Sequence, residues 1–75
     1  MNHQQDRDLQ VWLVTLDGTQ QAHNVVVELK KIGFLQLTVM DAIGVITGRA
    51  DQSIAEAARI LPGVSDVEPE TPVSV

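Results

Sequence analysis

The succession of hydrophobic periods along the chain predicts an α+β domain in the order strand, helix, strand, strand, helix, strand. Three observations carry that expectation. Two segments, around residues 22–32 and 54–61, set apolar residues at steps of three and four, the spacing of a helix's buried stripe. Four others, 9–16, 34–40, 43–50 and 64–68, are rich in β-branched residues or alternate in polarity, the habit of strands. Between them stand Asp17-Gly18, Gly33, Asp51 and Pro62-Gly63, residue types that start helices, end them or turn the chain.

The first strand, Leu9 to Leu16, is apolar on both faces, as a central strand is. Asp17-Gly18 turns the chain, and Thr19 is placed to cap a helix by accepting a hydrogen bond from an orphan amide of its first turn. That helix, Thr19 to Ile32, buries Ala22, Val25, Val26, Leu29 and Ile32. It ends at Gly33, which can adopt the left-handed conformation, behind Lys30 and Lys31, whose charges suit the negative end of the dipole. Phe34 to Met40 alternates, with Leu35, Leu37 and Val39 on one side and Gln36 and Thr38 on the other. Asp41-Ala42 is a short link to Ile43–Ala50, where Ile43, Val45 and Thr47 oppose Gly44, Ile46 and Gly48. Asp51 caps a second helix running to Leu61, its narrow stripe being Ile54, Ala57, Ala58 and Leu61, and Pro62-Gly63 stops it. Val64 to Glu68 is a short edge strand, interrupted by Pro69.

Right-handed crossovers interlock the two strand–helix–strand halves into one four-stranded antiparallel sheet with both helices on a single face, the ferredoxin-like βαββαβ arrangement. The other face is then bare. With Leu9, Val11 and Leu13 turned to the helices, the bare face is expected to carry Trp12, Val14 and Ile46, with Phe34 beside them. Apolar patches of that kind mark partner surfaces. The domain spans residues 9–69, between a polar N-terminal segment, 1–8, and an extended tail, 70–75.

Composition narrows the function. At 75 residues, 44% hydrophobic, the chain has room for one core, and a domain of this size buries only about 60% of its unfolded surface. It has no cysteine for a disulfide or a thiolate metal site. Ten acidic against five basic residues leave a charge of −5, which repels nucleic acid and anionic lipid. No apolar run approaches the roughly 20 residues of a membrane span, and residues 1–8 lack the basic start and apolar core of a secretory signal, so the expected location is the cytoplasm.

Catalytic chemistry finds few participants. His3 and His23 stand apart from other metal-ligand types, and no serine or threonine pairs with a base in a nucleophilic arrangement. Asp17, Asp41 and Asp51 sit where turns and caps use them. Gly44 and Gly48 match no phosphate-binding or dinucleotide motif and are expected to mark a bulge or a packing notch. The loop from Leu16 to Ala22 lacks the cysteines by which copper chaperones of this fold bind metal. The expectation is therefore a non-enzymatic domain with no cofactor and no metal.

From Gly33 onward, and most clearly in Leu61-Pro62-Gly63-Val64-Ser65-Asp66-Val67-Glu68-Pro69-Glu70, the chain resembles the subtilisin-propeptide family, also called the I9 inhibitor family. The match is the family's ending: a helix, a short turn, a Val-x-x-Val-Glu strand, an acidic residue and a tail. The resemblance implies a ferredoxin-like domain that lays its open sheet face on a subtilisin-like serine protease and passes its tail through the substrate cleft. Trp12, Val14 and Ile46 would supply the apolar contact, and Glu68, Glu70, Thr71, Pro72, Val73, Ser74 and Val75 the cleft-binding segment. With no protease domain following in the sequence, the expectation is a free-standing inhibitor or folding helper. Two features depart from a strong inhibitor: Val75 is β-branched, a poor fit to a broad apolar pocket, and Pro72 lacks an amide for strand pairing. The alternative from a different class is a small regulatory or dimerisation module of the amino-acid-sensing (ACT-like) type, forming a homodimer through the open face and holding a small ligand at its loops.

Overall fold

The computed structural model of the protein describes residues 9–70; the segment 1–8, with His3, and the tail residues Thr71, Pro72, Val73, Ser74 and Val75 lie outside them. Its elements are β1 (Gln10–Leu16), α1 (Ala22–Ile32), β2 (Leu35–Met40), a 3-10 turn (Asp41–Ile43), β3 (Val45–Ala50), α2 (Gln52–Ala58) and β4 (Val64–Pro69). One sheet runs β2-β3-β1-β4, and every neighbouring pair is antiparallel. β1 is therefore parallel to β2, with β3 between them, and β3 is parallel to β4, with β1 between them. Each strand–helix–strand unit straddles a strand of the other, which is the interlocked ferredoxin-like βαββαβ fold.

Register decides which residues meet the helices. Trp12 faces Gly48, and Val14 faces both Ile46 and Val67. These residues form a single core with Val25 and Leu29 of α1, Ala55 and Ala58 of α2, Phe34 and Ala50. Trp12, at 4% exposure, and Val14 and Ile46, at 0%, thus lie under the helices and not on the bare face, and Phe34 lies with them. The expected orientation of β1 is reversed. One reason is polar: the indole Nε1–H donates to the Ala50 carbonyl at 2.8 Å inside the core, which leaves no buried donor unpaired. Gly48 is a packing notch filled by Leu37 and Phe34. A Cβ there would lie 2.5 Å from Leu37 Cδ2 and 3.0 Å from Phe34 Cδ2.

The first helix begins three residues later than the caps in the sequence suggest. Thr19 does not cap it; its amide and hydroxyl both donate to Asp17 Oδ1, at 2.8 and 2.6 Å, closing the Asp17-Gly18 turn. Gln21 precedes the helix with no side-chain cap. The other end forms as the glycine requires: Gly33 adopts φ 116°, its amide donates to Lys30 O, and the Phe34 amide donates to Leu29 O. This is a Schellman ending with Phe34 and Leu29 in its accompanying apolar contact.

Asp51 caps α2, accepting from the Ile54 amide at 2.9 Å and the Ser53 hydroxyl at 3.0 Å. The helix stops at Ala58 and not at Leu61. Arg59, Ile60 and Leu61 each donate to the carbonyl three residues back, so the last turn tightens ahead of Pro62, which disfavours helix in the residue before it. The hairpin link is longer than Asp41-Ala42. A 3-10 turn and a left-handed Gly44, at φ 66°, delay β3 to Val45.

β2 departs most from simple alternation. Leu35 faces Arg49 but Thr38 faces Thr47, so β2 contains one extra residue, and Gln36 takes φ 55° to absorb it. The bulge turns Leu35 away from Leu37 and Val39, to the side opposite the helices.

Candidate functional site

The sheet face opposite the helices is built by three cross-strand rows, each read from β2 to β4. Leu35, Arg49, Val11 and Glu70 form the first; Thr38, Thr47, Leu13 and Glu68 the second; Met40, Val45, Thr15 and Asp66 the third. Glu70 joins its row through a 2.8 Å hydrogen bond from its amide to the Val11 carbonyl, which continues the ladder past Pro69. Val11, Leu13 and Val45 make a half-buried apolar centre. Leu35 and Met40 extend it to the β2 edge at 52% and 44% exposure.

Charge is distributed unevenly over this face. Asp66, Glu68 and Glu70 form an acidic column along β4. Arg59 reaches around that edge from the end of α2 and pairs with Asp66 at 3.6 Å and with Glu56 at 3.4 Å. Arg49, in the middle of the sheet, makes no ion pair among the described residues. The face therefore has an apolar centre, one cation and an acidic margin.

Of the residues expected to touch a partner, Glu68 and Glu70 are on this face, while Trp12, Val14 and Ile46 are in the core beneath it. The residues that take their place are Val11, Leu13 and Val45, with Thr15, Thr47 and Leu35 around them. One signal in the sequence points to them. Arg49 shares its side of β3 with Val45 and Thr47, and a cation does not turn into a small apolar core; Ile46, Gly48 and Ala50 must then face the helices. For β1 no such marker exists, because Trp12, Val14 and Leu16 are as apolar as Val11 and Leu13.

The titratable groups elsewhere are engaged in local structure. The Thr19 hydroxyl first, and its amide second, hold the Asp17 carboxyl below the ordinary aspartate value. The Ile54 amide and then the Ser53 hydroxyl do the same for Asp51. His23 is exposed on α1, and the Ser65 hydroxyl donates to the Thr15 carbonyl at 3.4 Å. Among the described residues no three His, Cys, Asp or Glu side chains converge as metal ligands. Surface depressions among the described residues include one of about 490 Å³ against Gln20, Asn24, Val27, Glu28 and Pro62 and another of about 390 Å³ against Gln10, Asp51, Gln52 and Ser53. In the first, Glu28 faces Lys31 at 3.4 Å; in the second, the Asp51 carboxylate is occupied as a cap. No helix among the described residues is long and apolar enough to cross a membrane.

Fold and surface together define a ferredoxin-like domain with an open, partly apolar sheet face. Comparison with protein-family models, with curated proteins and with solved structures finds no match for the chain.

Proposed function

We propose that this is a non-enzymatic protein-binding domain, similar to a propeptide-type inhibitor or folding helper of a subtilisin-like serine protease. The observation that carries the reading is the apolar centre Val11, Leu13 and Val45, left uncovered on the face along whose margin β4 runs toward the tail. A partner seated on that face would meet Glu68 and Glu70 at the end of β4, from which the chain continues into residues 71–75, so one surface and one segment would act together. The apolar contact belongs to Leu13 and its neighbours, and Trp12, Val14 and Ile46 support it from below.

The test is an inhibition curve against several subtilisin-type proteases with the intact chain, a chain lacking residues 71–75, and a Leu13→Asp variant, with circular dichroism as the folding control. The intact chain slows at least one protease at micromolar concentration. Removing the tail abolishes the effect, since the cleft segment is gone, and Leu13→Asp weakens it about tenfold or more by placing an unpaired charge in the contact. No inhibition by the intact chain, or equal inhibition by all three, removes the reading.

A further inference from the structure

We infer that β2 is a self-association edge: two copies of the chain pair their β2 strands antiparallel and join their sheets into one of eight strands. The inference is independent of the protease reading, because it uses the rim of the sheet and not its face.

Among the described residues, the exposed large hydrophobic side chains are concentrated at this rim. Of the six large hydrophobic residues exposed among those described, four lie on β2 or in the turn after it: Leu35 at 52%, Val39 at 39%, Met40 at 44% and Ile43 at 65%. β2 has a strand neighbour on one side alone, so its outward amide and carbonyl groups are a template for another strand. Edge strands are commonly guarded by lysine, proline, inward charge or a bulge. β2, Leu-Gln-Leu-Thr-Val-Met, has no lysine, proline or charge, and its bulge guards residues 35–38 alone, leaving Thr38 to Met40 in regular register.

Electrostatics selects this edge over the other. A chain of net charge −5 repels its copies, but at physiological salt the repulsion is screened beyond about 8 Å, so the charges at the contact itself decide. Along β4, Asp66, Glu68 and Glu70 occupy alternate positions on one side. An antiparallel self-pairing that keeps the two sheets continuous sets residues of the same side against each other, so overlapping β4 strands oppose carboxylate to carboxylate. The same pairing on β2, centred on Thr38 or Val39, contains no charge. Asp41, just beyond it, falls opposite an uncharged residue of the other copy, Leu35 or Leu37, and far from the other Asp41. A strand paired antiparallel with itself is closed and two-fold, so association stops at the dimer. The regular stretch is short and the contact is in the weak, transient class.

Sedimentation of the intact chain tests this. Its mean mass should climb from one chain at about 10 μM toward two at about 1 mM, the range of a weak interface. Thr38→Lys and Thr38→Glu, exposed substitutions checked for folding by circular dichroism, should each remain single chains, because each sets like charges together across the axis. An equimolar mixture of the two should regain the doubled mass. A mass of one chain throughout overturns the inference. So does a dimer that survives both substitutions, or one that Leu13→Asp disperses while Thr38→Lys does not, since that contact would be the open face.

Discussion

Asp51 does two jobs at once, ending β3's path over the sheet and starting α2, and its carboxylate is the means. It accepts from the Ile54 amide and the Ser53 hydroxyl while remaining in contact with solvent. Its pKa is lowered from 3.8, through the Ile54 amide first and the Ser53 hydroxyl second. A carboxyl whose folded pKa lies below its unfolded one contributes stability that is fully present above the unfolded value and is lost as pH falls through the folded value. An asparagine in its place would still cap the helix but would not titrate. The wild-type chain should therefore be more stable than Asp51→Asn by a constant margin above about pH 5, and the margin should shrink as pH drops below about 4. Urea unfolding of both proteins at a series of pH values checks this; parallel curves down to the acid limit would show that the ionised cap contributes nothing.

At the scale of elements, the two helices differ in how much of themselves they determine. α1 has a five-residue apolar stripe and a glycine ending, and its C-terminal boundary is where the sequence predicts it. α2 has seven residues, below the length at which an isolated helix holds together in water. It depends on Asp51 and on the packing of Ala55 and Ala58 against the sheet. β2 shows the opposite case, an element bent away from its own alternation. Gln36 at φ 55° lies in the left-handed region, which costs an L-residue roughly 1–2 kcal/mol. Gln36→Gly should raise the unfolding free energy by up to about 1 kcal/mol, whereas Gln36→Val, β-branched, should lower it by about 1–2 kcal/mol. Chemical denaturation of the two variants measures the difference. A valine as stable as the wild type would mean that the bulge moves elsewhere at no cost.

For the whole molecule, the interlocking of the two halves makes the domain one cooperative unit. β1 and β3 are each other's central neighbours, yet they belong to different strand–helix–strand units, so neither half keeps its sheet without the other. Leu29, fully buried from α1, packs into the core these units share. Leu29→Ala should cost about 2–4 kcal/mol, a cavity penalty that is a large fraction of the stability of so small a domain. Its effect should be global: the tryptophan fluorescence of Trp12 on β1 and the helical circular dichroism should shift together to lower denaturant. A loss under about 0.5 kcal/mol would place Leu29 outside the core.

What the sequence determined by itself was whatever depends on neighbours along the chain. Hydrophobic period set the type and order of the four strands and two α-helices, and Gly33 and Asp51 marked the end of one helix and the start of the other through their own backbone and side-chain chemistry. From that order and the handedness of crossovers, the sheet topology followed. What only the tertiary structure decided was the direction in which β1 faces, the bulge in β2 and hence the composition of the open face. β1 is apolar at both odd and even positions, so its period is silent on direction. The choice was made across the sheet, where the Ala50 carbonyl accepts from the indole of Trp12, 38 residues away. Such a preference is a property of two strands in contact, and with Trp12 in the core Leu13 turns to the open surface.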